Sequence, residues 1–210
     1  MKAFEAVDFL DLKSELSSDE ILIRDTVRQY VNKEIMPRIA DDYEKGVFPK
    51  ELIPGLAELG TLGSTIQGYG CAGVSYTAYG LIMQELERAD SGIRSFVSVQ
   101  GALCMFPIAE FGSEELKQKY LPKMAKGEWI GCFGLTEPDF GSNPAGMRTT
   151  AIKDGNEYVV NGSKMWITNG GMSHLAIVWA RDERGKVIGL VVDRDSKGFK
   201  VRNIEKKFSL

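Results

Sequence analysis

The chain has one histidine, His174, among its 210 residues, and that scarcity excludes much chemistry. A His-rich metal site, or a Cys-His or Ser-His catalytic pair, could form only around that residue. His174 follows a Gly-Gly-Met-Ser turn, so a surface position is expected, and no metal is implied. Cysteine is also sparse: Cys71, Cys104 and Cys132 show no paired spacing, which fits a reducing compartment and thiols without assigned chemistry. Apolar runs are broken by Gly, Ser or charge well before the roughly 20 residues a membrane-spanning helix requires, so no span is expected. The segment Met1 to Glu20 has neither a basic start with an apolar core nor an Arg-rich face. Export and organelle import are therefore not expected, and a cytoplasmic setting follows. Basic excess is absent too: 26 Lys and Arg against 29 Asp and Glu leave a scattered net charge of −3, with no footprint for nucleic acid. Internal repeats and low-complexity tracts are missing. So is the strand-helix alternation of a doubly wound nucleotide fold, which disfavours a nicotinamide-binding Rossmann domain.

What is present is an ordinary globular composition, 43% hydrophobic and 26% charged. Residues from about 17 to 125 read as helical. Ser17 and Glu20 fit a capping box, and Ile23, Val27, Tyr30, Val31 and Met36 then follow roughly one face until Pro37 ends or bends the run. A second helix is expected around 50–59, closed by Gly60. The Gly-rich stretch 60–73 reads either as a loop passing near something functional or as a long connection. Two further runs, about 75–90 and 93–111, are apolar on most faces, as buried central helices are. A short helix follows Ser113, with its charges suited to the helix dipole. From Ile130 the texture turns to β, with strands expected at 130–135, 149–153, 158–161, 176–180, 187–192 and 199–204. The expected architecture is α+β: a helical domain over 1–129, then an antiparallel, barrel-like sheet domain over 130–210 that is incomplete at its C-terminal end.

Two segments of the second half carry the functional signal. Phe133-Gly134-Leu135-Thr136-Glu137-Pro138-Asp139-Phe140-Gly141-Ser142 joins a hydroxyl, a Pro turn and a Gly-Ser pair, as a loop needs in order to press its backbone against a phosphate. Asn161-Gly162-Ser163-Lys164-Met165-Trp166-Ile167-Thr168-Asn169 ends a β-rich run with an indole, a branched apolar residue and a hydroxyl side by side. Together they resemble the flavin-binding segments of the acyl-CoA dehydrogenase family, and the helical half is most similar to its glutaryl-CoA dehydrogenase branch. The resemblance implies FAD as cofactor. Phe133, Leu135 and Thr136 would run along the flavin ring, with Gly141 and Ser142 at the pyrophosphate and Ser142 also close to substrate. Trp166 and Ile167 would cover the ring, and Thr168 would bond near N5.

The stretch Glu85 to Ser95 is similar to the branch segment that meets the far carboxylate of the substrate, which implies Arg94 as the gripping residue, with Glu87 and Ser95 orienting it. Gln67 to Ser75 and the terminal Lys207-Phe208-Ser209-Leu210 also look like that branch. Ile93 departs from it, since an aromatic residue is common there. The implied reaction is α,β-dehydrogenation of an acyl-CoA thioester, glutaryl-CoA foremost, with decarboxylation to crotonyl-CoA. An electron-transfer flavoprotein would take the electrons and the complete enzyme would be a homotetramer. The family's general base is a glutamate of its C-terminal domain, and no residue here matches it. Leu210 falls where the family would be about halfway through, so the expectation is an inactive fragment. The alternatives are one subunit of a split dehydrogenase and a noncatalytic protein that binds acyl-CoA or a partner chain.

Overall fold

The computed structural model describes residues 8–205 and Lys207. Of the terminal Lys207-Phe208-Ser209-Leu210 stretch only Lys207 is therefore described, and the first seven residues lie outside it as well. Helix α1 (Ser18–Tyr30) opens on the expected capping box, with the Ser17 hydroxyl accepting from Glu20 N and the Glu20 carboxylate from Ser17 N. It continues through a π-helical turn, Val31–Ile35, and stops at the turn that holds Pro37. Short helices α2 (Ile39–Lys45) and α3 (Ile53–Glu58) lead into the 60–73 loop. Helix α4 (Tyr76–Ala89) is capped by Ser75.

Asp90 caps the next helix by accepting from Ile93 N. Helix α5 (Ser91–Ser98), a π-helical stretch Val99–Met105 and α6 (Phe106–Phe111) form one continuous run, followed by α7 (Glu114–Ala125). The sequence reading expected one helix over 93–111 and no membrane span. As a single helix the 91–111 run is long and apolar enough to cross a membrane by length and composition alone. Its apolar character has a core explanation. Ile93, Phe96 and Val97 pack with α1 and α4 in one cluster, while Val99, Cys104, Met105 and Ile108 pack with α7 and the sheet in another. A Cβ on Gly101 would stand 2.9 Å from Gly63 N, so this helix and the 60–73 loop meet backbone to backbone where only glycine fits.

The sheet corrects the antiparallel expectation. Strand β1 (Gly131–Gly134) pairs in parallel with β4 (Leu175–Arg181), Gly131 opposite Leu175. Strand β4 pairs antiparallel with β5 (Val187–Asp193). The hairpin of β2 (Thr150–Asp154) and β3 (Glu157–Asn161) is antiparallel and joins β4 through a parallel pairing of Thr150 with Arg181. The sheet is mixed and open rather than a closed barrel. The cause is the excursion between β1 and β4, long enough to return the chain in the same direction, which a tight turn cannot do. No strand forms at 199–204. Phe199 N turns back to Ser196 O at 3.0 Å, and the Phe199 ring lies under the Arg194 guanidinium.

Gln100 joins the helices to the sheet. Fully buried in the π-helical stretch, its amide donates to Met124 O at 3.1 Å and Trp129 O at 2.8 Å and accepts from Gly131 N at 2.8 Å. The first residue of β1 is thereby fixed to the central helix.

Candidate functional site

Two sequence segments far apart in the chain meet in one half-open cavity of about 180 Å³. Phe133 comes from β1, Leu135 and Thr136 from the turn after it, and Trp166, Ile167 and Thr168 from the connection between β3 and β4. All six were singled out in the sequence. Gly141 and Ser142 were singled out with them but stand on the exposed 138–146 loop, outside the cavity lining. Val99 and Leu103, which the sequence reading missed, complete the wall from the central helix. Their i, i+4 spacing is a signal, but nothing local separates a groove-facing pair from a core-facing one.

Backbone conformation at the cavity is unusual. Trp166 has φ 62° and Asn169 φ 67°, the left-handed region that a bulky residue such as Trp rarely enters. Trp166 is 60% exposed, so its indole is presented rather than packed. Bonds flanking it hold this shape: Met165 N donates to Thr136 O at 2.8 Å, and the Asn169 amide donates to Gly131 O at 3.2 Å. The Phe133 ring meets the Trp179 ring edge-on at 6.0 Å between centroids, which sets the floor of β1 against β4.

Beneath the cavity lies a buried ion pair. Lys164 Nζ is 2.9 Å from Glu137 Oε1 and 3.0 Å from Leu135 O. Glu137 also accepts from Arg148 N at 2.6 Å, Thr149 N at 2.9 Å and the Thr149 hydroxyl. Burial pushes its carboxyl pKa up, but these donors and the lysine outweigh that and hold it at about 2. Glu137 closes a turn with Phe140 and anchors two further segments, Arg148–Thr149 and Lys164.

Arg94 lies five residues before Val99 on the same helix, about 7.5 Å along its axis. Glu87 Oε2 engages its Nε at 2.5 Å, and the other Glu87 oxygen accepts from Ser91 Oγ at 2.5 Å. These two bonds, Ser91 first, keep the Glu87 carboxyl below its ordinary range. Among the described residues no acceptor takes the two Nη groups of Arg94, whose side chain is a third exposed. The Ser95 carbonyl accepts from Ser98 Oγ at 3.1 Å. Glu85, also on α4, is fully buried between Arg28 and Arg88. His174 is exposed, as expected, and its Nδ1 accepts from Ile130 N at 3.0 Å. The three cysteines are free, and burial raises each thiol, Cys71 to about 11. A second cavity, of about 220 Å³, takes Gly101, Ala102 and Phe106 from the central helix together with Gly63–Thr65 and Tyr76 and Tyr79; no residue singled out for cofactor or substrate lines it.

Comparison with known proteins agrees with this layout. Residues 17–128 match the acyl-CoA dehydrogenase N-terminal domain and residues 132–210 the acyl-CoA dehydrogenase middle domain. The chain is 34% identical over 200 residues to a short-chain-specific acyl-CoA dehydrogenase of Clostridium acetobutylicum, covering 93% of this chain and 53% of that protein. It is 34% identical over 201 residues to the glutaryl-CoA dehydrogenase of Desulfococcus multivorans, covering 91% and 51%. The crystal structure of a glutaryl-CoA dehydrogenase from Mycobacterium smegmatis in complex with FADH2 superposes with a TM-score of 0.94 at 50% identity, over 96% of this chain and 52% of that one. The chain spans about half the length of the curated relatives it matches.

Proposed function

The chain belongs to the acyl-CoA dehydrogenase family, and from that premise we propose that the cavity between the 133–136 and 166–168 segments holds FAD and that this chain supplies the flavin- and substrate-contacting part of an α,β-dehydrogenation of an acyl-CoA thioester. The observation that carries the reading is the convergence of six residues from two separate segments on one groove. The lining fits a flat, partly polar ring. Phe133, Leu135, Ile167, Val99 and Leu103 give it apolar walls, Trp166 an open indole, and Thr136 and Thr168 a hydroxyl each. FAD, when bound, supplies the hydride acceptor. The residues' own work is to exclude water from the ring, to orient it, and to aim hydroxyl and backbone donors where negative charge develops.

Glutaryl-CoA is the proposed substrate. Glu87 holds Arg94 through Nε and leaves the end of the guanidinium open, an arrangement that can grip a carboxylate with two parallel bonds. None of the nearby carboxylates is proposed as the α-proton base. Glu85 is locked between two arginines, Glu87 is committed to Arg94 and Ser91, and Glu137 is saturated with donors. By the resemblance to the family, the base is a glutamate of the family's C-terminal domain, outside the segments that align here. On the same reading an electron-transfer flavoprotein accepts the electrons and the complete enzyme is a homo-oligomer. Binding of an acyl-CoA without turnover is the second reading, favoured by the commitment of Glu85, Glu87 and Glu137 to other partners. Titration of the FAD-loaded chain with glutaryl-CoA and butyryl-CoA tests the substrate: glutaryl-CoA binding about tenfold tighter, roughly 1.4 kcal/mol, is expected, and equal affinities would remove the dicarboxylate assignment.

A further inference from the structure

We propose that Lys164 and Glu137 are positioning residues whose ion pair clamps the two walls of the groove together and sets the spacing into which the ring enters. The inference rests on the flavin reading above. Lys164 lies two residues before Trp166, and Glu137 directly follows Thr136, so each partner sits at the base of one wall. The lysine makes both connections itself, 2.9 Å to the Glu137 carboxylate and 3.0 Å to the carbonyl of Leu135, a lining residue. The backbone adds a third, Met165 N to Thr136 O at 2.8 Å.

Both side chains are nearly out of solvent, 11% exposed for Lys164 and 5% for Glu137. Burying such a pair gains little stability over apolar groups of the same size, because desolvation of both charges opposes their attraction. What the pair supplies here is geometry. An ammonium with three donors, aimed at one carboxylate and one carbonyl, restricts the separation of the two segments that carry them. The far side is fixed as well, since Glu137 accepts from Arg148 N, Thr149 N and the Thr149 hydroxyl, and a Cβ on Gly162 would collide with Thr149. The left-handed Trp166 lies just beyond this anchor. Such a backbone persists only where its surroundings over-determine it, and the clamp and the Asn169 amide are the two constraints on either side.

The test compares wild type, Lys164→Met, Lys164→Arg and Glu137→Gln by FAD titration, by the visible spectrum of bound FAD, and by hydrogen exchange of the Met165 amide without FAD. Lys164→Met is expected to weaken FAD binding about tenfold or more, to alter the visible bands, and to speed Met165 exchange. Lys164→Arg should restore all three towards wild type, as a purely volumetric role would not. Should Lys164→Met fail to fold, Glu137→Gln, which keeps shape and acceptor but removes the charge, is expected to show the same changes in weaker form. Unchanged exchange and an unchanged spectrum in a folded Lys164→Met or Glu137→Gln protein would overturn the clamp. Wild type that takes up no FAD would overturn the flavin reading instead, and Met165 exchange would still decide whether the pair holds the walls.

Discussion

Replacing Gln100 by Leu, a side chain of similar volume, removes three hydrogen bonds from a site that water does not reach. The consequences differ bond by bond. Met124 O keeps its bond from Gly127 N at 3.1 Å, so its loss is small. Trp129 O loses its 2.8 Å bond at a cost of about 1 kcal/mol, and Gly131 N is a buried donor whose missing partner costs about 1–2 kcal/mol. The sum is about 3 kcal/mol, which for a protein of this size lowers Tm by roughly 6–12 °C. Urea unfolding followed by circular dichroism, with the m-value held constant, measures it directly. The damage should also reach the groove, because Gly131 opens the strand that carries Phe133. A loss below about 1 kcal/mol would mean that the amide is not the joint between helix and sheet described above.

Substrate selection, acid stability and helix capping give three more tests. Arg94→Ala is expected to weaken glutaryl-CoA binding about tenfold or more while leaving butyryl-CoA nearly unchanged, read by parallel titrations; equal losses would detach Arg94 from the distal carboxylate. Glu137 has a folded pKa of about 2 against an ordinary 4.5, so its contribution is complete above about 4.5 and is lost as pH falls from there towards 2. That shift corresponds to roughly 3 kcal/mol, and Glu137→Gln should flatten the pH dependence of stability in this window. Ser17→Ala removes the α1 cap and should cost about 1 kcal/mol by thermal melting, without affecting FAD affinity.

Much of this architecture was legible because its causes are local. A serine at the N-cap needs only the next three residues to be recognised, and the capping box expected at Ser17 forms. The six groove residues came from the resemblance of two short segments, 133–142 and 161–169, to the flavin-binding segments of the acyl-CoA dehydrogenase family. Their convergence was not local, and the pieces that produce it were misread or missed. The ion pair of Glu137 was not legible because its partner Lys164 is 27 positions away. Gln100 went unmentioned, since its three partners are two carbonyls and an amide that no side-chain pattern announces. The parallel pairing of β1 with β4 escaped because alternation fixes which face of a strand is buried and says nothing of its neighbour's direction. The expected strand at 199–204 does not form: its alternation breaks at Asn203-Ile204, and Phe199 N turns back to Ser196 O.

The central claim is that the 133–136 and 166–168 walls hold a flavin. The most direct measurement is titration of the purified chain with FAD, following the visible flavin bands and tryptophan fluorescence, with Trp166→Leu alongside. The account predicts saturable binding, with quenching and band shifts that Trp166→Leu largely abolishes. Saturable binding that is indifferent to Trp166, or no binding by the folded protein, would contradict it.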